Sequence, residues 1–127
     1  MYVFCGEKKN SIERINAKWK NSKWELLQVS KEIPDRSLCG AVATLGGICI
    51  FGGRGDLGWL KDVYMLRTET MEMELVKEDT GEAMYPFCFP INYDKKRNVI
   101  YFCHYWSKTL CWMTADTFQV EKLGPLI

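Results

Sequence analysis

Short apolar runs alternate along this chain with clusters of glycine, proline, asparagine, aspartate and charged residues, and three of the runs share one form. They are Tyr2-Val3-Phe4-Cys5-Gly6, Ile48-Cys49-Ile50-Phe51-Gly52-Gly53 and Ile100-Tyr101-Phe102-Cys103-His104, each a strand pattern with an aromatic followed by small or polar residues. Around the second copy the pattern predicts strands over Cys39 to Leu45, Ile48 to Phe51, Asp62 to Arg67 and Met71 to Val76. Gly46-Gly47 serves there as the two-residue hairpin turn, and Arg54 to Leu60 as a loop. In the last of these strands Met71, Met73 and Leu75 alternate with Glu72 and Glu74, the mark of one buried face. The third copy predicts strands over Phe87 to Tyr93, Val99 to Cys103, Thr109 to Thr114 and Phe118 to Leu123, the last broken by Gly124-Pro125. The first predicts Tyr2 to Cys5, Ile12 to Asn16 and Trp24 to Val29. Helix periodicity is almost absent, since 30–36 and 78–86 carry turn chemistry.

The aromatic anchors Phe4, Phe51 and Phe102 lie 47 and 51 residues apart (51 − 4 and 102 − 51). A period near 50 marks a repeat array whose units cannot each bury an apolar face alone. Four short antiparallel strands per unit is the make-up of a propeller blade. The expected fold is therefore all-β, a propeller segment of about three four-stranded blades over 1–30, 31–79 and 80–127. The first of them lacks its inner strand. Trp24, Met73 and Phe118 are expected at equivalent places at the start of each last strand.

Pro34-Asp35-Arg36-Ser37, the Gly52-Gly53 doublet after an apolar strand, Asp62-Val63-Tyr64 and a bulky residue opening the last strand resemble kelch repeats. The likeness is close over 34–77 and looser elsewhere, where the doublet becomes Cys5-Gly6 and Cys103-His104. It implies a kelch-type β-propeller that uses inter-strand loops on one face to dock a partner. Arrays of this kind serve as ubiquitin-ligase substrate receptors, actin binders and scaffolds. Three blades do not close a ring of the usual four to eight. The chain is then either a piece of a longer protein or completes its ring as a homodimer or hetero-assembly. The complete last blade is expected to end the array, and the N-terminal edge to be the incomplete side.

Composition narrows the partners. The 17 basic and 16 acidic residues leave a formal net charge of +1, so no global field recruits nucleic acid or an anionic membrane. Lys8-Lys9 and Lys95-Lys96-Arg97 are short clusters at expected turns. No stretch approaches the roughly 18 to 20 apolar residues of a membrane span, and no secretory pattern opens the sequence. The six cysteines, scattered and without a C-x-x-C pair, read as reduced core thiols of a cytoplasmic protein. A cytoskeletal or ciliary placement is compatible with this, but no residue argues for it.

The candidate contact residues are Arg36, Arg54, Asp56, Trp59, His104, Tyr105 and Trp106, from loops expected on one face. Trp, Tyr and Arg are the side chains most enriched at binding hot spots. Trp59 and Trp106 either contact a partner or fold back as caps on their blades. Arg36 either points to the central channel, as the resemblance implies, or holds the turn by hydrogen bonding. Catalysis, a cofactor and a metal are not expected: His104 is the only histidine, and Cys103 beside it points to the opposite face. The tyrosine and histidine ligands that kelch-like oxidases need are not assembled, and an enzyme of the kelch-like oxidase or epimerase type is the weakest of the readings. Gly52-Gly53-Arg54-Gly55 opens no helix, so it forms no phosphate loop. The reading is a non-catalytic protein-interaction module, with a structural subunit of a larger assembly as the alternative.

Overall fold

The apolar runs fold as strands wherever the computed structural model describes the chain, at residues 2–4, 12–15, 23–30, 33–81, 84, 91–104 and 107–125. No helix occurs among these residues. The first sheet is β1 (Tyr2–Phe4), β2 (Ile12–Arg14) and β3 (Glu25–Leu26), paired in chain order. The second has four strands: β4 (Gly40–Thr44) and β5 (Gly47–Phe51), then, beyond a small hairpin of β6 (Arg54–Gly55) and β7 (Gly58–Trp59), β8 (Val63–Arg67) and β9 (Glu72–Lys77). The third is β10 (Asn92–Asp94), β11 (Val99–His104), β12 (Thr109–Thr114) and β13 (Val120–Pro125). Every pairing is antiparallel, and the β5-to-β8 step passes over the small hairpin.

The second sheet is covered on both faces. Cys49, Phe51, Val63 and Met65 pack against Ile100, Phe102, Cys111, Met113 and Phe118 of the third sheet and its β12–β13 turn. Ile50, Tyr64, Leu66 and Met73, on the other face, pack with Ile12 of the first sheet and with Ile33. This explains why Ile48 to Phe51 shows no polar alternation: both of its faces are inside.

That packing corrects the expected equivalence of the aromatic anchors. Phe51 faces forward onto the third sheet and Phe102 faces back onto the second, so their rings meet, with centroids 5.3 Å apart and planes at 55°. Residues that face the preceding sheet match Ile50 with Phe102, an offset of 52 (102 − 50), and Leu66 with Met113, an offset of 47 (113 − 66). Phe102 thus stands one place before the counterpart of Phe51, which is Cys103 (51 + 52). A one-residue slip moves a strand side chain to the opposite face. Phe118 likewise stands where Met71 stands, not Met73. Both follow a turn and hold positive φ, 58° at Met71 and 55° at Phe118.

Other boundaries shift for local reasons. Thr44 pairs with Gly47, so the two-residue turn is Leu45-Gly46 and Gly47 opens the strand. Gly47 sits at φ 139°, and a Cβ there would lie 2.3 Å from the Leu66 carbonyl oxygen, so only glycine fits. Gly124-Pro125 does not break β13: Leu110 pairs with Gly124 and Thr109 with Pro125, after a register shift between Leu110 and Cys111. A bulge on an edge strand tolerates both residues. The strand expected over Phe87 to Tyr93 is described only from residue 91, and β10 carries on to Asp94. β3 is shorter than expected, although the Leu27 amide still bonds the Ile12 carbonyl at 2.9 Å.

Candidate functional site

Gly52 and Gly53 take φ 66° and 87° and let the chain leave β5 under two close backbone approaches. A Cβ at Gly52 would lie 2.3 Å from the Met84 carbonyl oxygen, and one at Gly53 would lie 2.5 Å from that of Ser37. Beyond them the expected loop is a two-stranded hairpin, in which Arg54 pairs with Trp59 and Gly55 with Gly58. Asp56 and Leu57 form its tip.

The hairpin is tied to its base from three directions. Ser37 and Arg54 exchange backbone hydrogen bonds of 3.0 and 2.8 Å. The Leu60 amide donates to the Gly53 carbonyl at 2.8 Å, closing the neck. Met84, fully buried, donates its amide to the Leu60 carbonyl at 3.2 Å and accepts from the Gly53 amide at 2.9 Å.

Under this neck lies Arg36. The guanidinium is 0 % exposed and grips Asp62 with both ends, Nη1 to Oδ1 at 2.6 Å and Nη2 to Oδ2 at 2.9 Å. Nη1 also donates to the Gly52 carbonyl at 3.2 Å and Nε to that of Pro34 at 3.3 Å. Its carbon lies 5.4 Å from the centre of the Tyr64 ring. Bidentate, charge-assisted geometry of this kind lets a guanidinium remain buried. Burial raises the Tyr64 hydroxyl above its ordinary pKa; the Asp62 charge adds to that and Arg36 opposes it. Arg36 therefore offers no exposed surface in these three sheets, and its bond to the Pro34 carbonyl agrees with the turn-holding reading of the two left open by the sequence.

The hairpin brings Arg54, Asp56 and Trp59 together. Arg54 is exposed and its guanidinium carbon lies 5.9 Å from the centre of the half-buried Trp59 ring. Asp56 is exposed, and Leu57 beside it is 106 % exposed, as open as a side chain can be. His104 closes β11 in the third sheet. Its Nδ1 accepts the Ser107 amide at 3.4 Å and lies 3.0 Å from the Ser107 hydroxyl, which organises the turn into β12. The Leu45 amide donates to the Tyr93 hydroxyl at 3.3 Å, which sets the β4–β5 turn beside the β10–β11 turn. Strand alternation then puts the hairpin and His104 at the opposite, shared end of the two sheets. Tyr105 and Trp106 lie outside the described residues.

Two residues of this region were not anticipated. Asp62 is the counter-charge of Arg36, hidden by a separation of 26 residues. Leu57 carried a readable signal, an aliphatic side chain between aspartate and glycine in a turn, where nothing in the strand pattern calls for one.

Burial also pushes the Cys49 thiol up to about 12, which makes it an inert core group. Cys49 and Cys103 are free thiols, while Cys5 and Cys88 lie outside the described residues. No cluster of three or more metal-ligating side chains occurs among the described residues, and no described helix is long and apolar enough to cross a membrane. The site can therefore present a stacked cation, an anion and an aliphatic tip. No family model matches the chain, and no curated protein matches it either.

Proposed function

We propose that the three sheets are successive blades of a kelch-type propeller and that the chain is a non-catalytic protein-interaction module. Support for the repeat comes from the same up-and-down strand order in consecutive sheets, with the glycine doublet at positive φ where the second strand of one unit ends. The observation that carries the function is the β6–β7 hairpin. It places Arg54 on Trp59 and a fully exposed Leu57 at the tip of a base held by buried bonds. A leucine on a rigid, two-stranded support fits an apolar socket in a partner protein. Arg54, already aligned on its aromatic neighbour, suits a carboxylate at the rim of that socket. His104 extends the surface at the same end.

A photo-crosslinking residue at position 57, compared with one at position 45, tests this. Leu45 is 67 % exposed and sits at the opposite end of the second sheet. The expected result is a discrete protein adduct from position 57 alone, lost when Arg54→Ala and Trp59→Ala are combined. Equal adducts from both positions, or none, overturn the placement.

A second reading, a structural subunit of a larger assembly, is favoured by one feature. On the face of the third sheet turned away from the second, Tyr101 stands opposite Trp112 and Cys103 opposite Leu110. Tyr101, Leu110 and Trp112 remain half-buried there. Light scattering separates the two readings: a single-chain mass of 14.8 kDa supports the module, and a stable multiple supports the subunit.

A further inference from the structure

The β6–β7 hairpin is short, with two residues in each strand, and a pairing of that length is marginal in water. Its order must come from beneath. Two supports reach the neck. Met84 bonds Gly53 and Leu60, and so holds the side of the neck that faces away from 34–37. The 34–37 segment holds the other side, through the paired Ser37 and Arg54 backbones. Ile33 and Cys39 anchor its ends in the core, but between them Pro34 and Asp35 are exposed, and Leu38 sits at φ 59°, an αL conformation that a leucine adopts only under constraint. What holds its middle is Arg36. The one guanidinium joins the Pro34 carbonyl, the Gly52 carbonyl and the Asp62 carboxylate. These belong to the segment before β4, to the doublet after β5 and to the residue before β8. A single side chain thus binds both ends of the hairpin connection to the strand that borders it.

We infer that the Arg36–Asp62 pair is the positioning element of the hairpin, so that presentation of Arg54, Leu57 and Trp59 depends on an ion pair beneath it whose arginine is fully enclosed and whose aspartate side chain is 15 % exposed. This rests on the hairpin being the docking site, and it extends that reading to what holds the site in shape. A pair of this kind differs from ordinary core packing in what its loss does. Its bonds end on Gly52, Pro34 and Asp62, all at the neck, so removing it loosens the neck before the sheets. Replacing both partners by apolar residues of similar size removes the clamp without leaving a buried charge behind.

The experiment is amide hydrogen exchange, read residue by residue, on the intact chain and on the double variant Arg36→Met/Asp62→Leu. The expected result is exchange about tenfold or more faster at Ser37, Arg54 and Leu60, with Cys49, Met65 and Ile100 unchanged in the paired sheets. Arg36→Lys, which keeps the charge but loses the two-point grip, is expected to fall between the two. Unchanged protection at Ser37, Arg54 and Leu60 overturns the inference and makes Met84 the sufficient support. A uniform loss across neck and sheets overturns it as well, since the pair is then ordinary core. If the double variant does not fold, Arg36→Lys alone decides between these outcomes by the same comparison. The exchange pattern needs no partner, so a negative result leaves the docking reading to its own crosslinking test.

Discussion

The meeting of Phe51 and Phe102 yields the sharpest energetic prediction. Their rings are 0 % and 1 % exposed, with centroids 5.3 Å apart and planes inclined by 55°. That spacing and tilt fall within the range in which aromatic pairs add about 0.5–1.5 kcal/mol beyond their burial. Truncation to alanine removes too much, since a buried Phe→Ala costs about 3–5 kcal/mol and a domain holds only about 5–15 kcal/mol in all. Leucine keeps most of the apolar volume and removes the ring, so the cycle is built from Phe51→Leu, Phe102→Leu and their combination. Urea unfolding followed by circular dichroism supplies the midpoint and slope of each variant. The expected coupling is about 0.5–1.5 kcal/mol. Ile50→Val combined with Phe102→Leu is the control, because Ile50 adjoins Phe51 in sequence but faces the first sheet. That pair should add to within about 0.3–0.5 kcal/mol. Additivity of Phe51→Leu and Phe102→Leu within the same margin would refute the stacking of these sheets, because it would put the two rings on separate surfaces.

Gly47→Ala should destabilise the fold by about 1–3 kcal/mol or more, since φ 139° and a Cβ 2.3 Å from the Leu66 oxygen leave alanine no relaxed position; a shift in urea midpoint checks it. Stability should also fall on the alkaline side. The Cys49 thiol is raised from 9.0 to about 12, so its share is intact below pH 9 and lost as pH climbs toward 12. Tyr64, raised above 10.0, acts in the same direction. Urea midpoints at pH 8 and 10.5 should drop less between the two for Cys49→Ala, and less again with Tyr64→Phe added. Leu57→Asp should leave the thermal midpoint unchanged, because a side chain 106 % exposed contributes no burial, while abolishing the position-57 contact surface.

Strand existence was legible because turn residues punctuate every run; strand facing was not, and the reason is visible in particular residues. Ile48 to Phe51 and Val99 to Cys103 are apolar at every position, so nothing in them marks which side chain points forward. Where alternation exists, as at Met73 between Glu72 and Glu74, the buried face was read correctly. The aromatic label on Phe51 and Phe102 suggested one role for both, whereas the packing needs an aromatic from each side of one interface. The candidate site was legible in part. Arg54, Asp56 and Trp59 were chosen from loop chemistry, which is local, and one hairpin carries all three. The partner of Arg36 was not, because a buried guanidinium finds its carboxylate through the tertiary fold.

The layout of the region separates what holds the hairpin from what the hairpin shows. Its supports are Met84, Arg36, Asp62 and backbone bonds at Gly53, Ser37 and Leu60, of which Met84 and Arg36 are fully enclosed. Its exposed residues, Arg54, Asp56 and Leu57, contribute none of those side-chain bonds to the neck. If the hairpin docks a partner, substitution at the tip changes the displayed chemistry with little effect on the support, whereas substitution at the neck changes the support and leaves the displayed chemistry as written. Under the docking reading, display and support are carried by different side chains, with Arg36 and Met84 far in sequence from the tip they hold. That division is what a surface needs if its partner preference is to change while the fold stays the same.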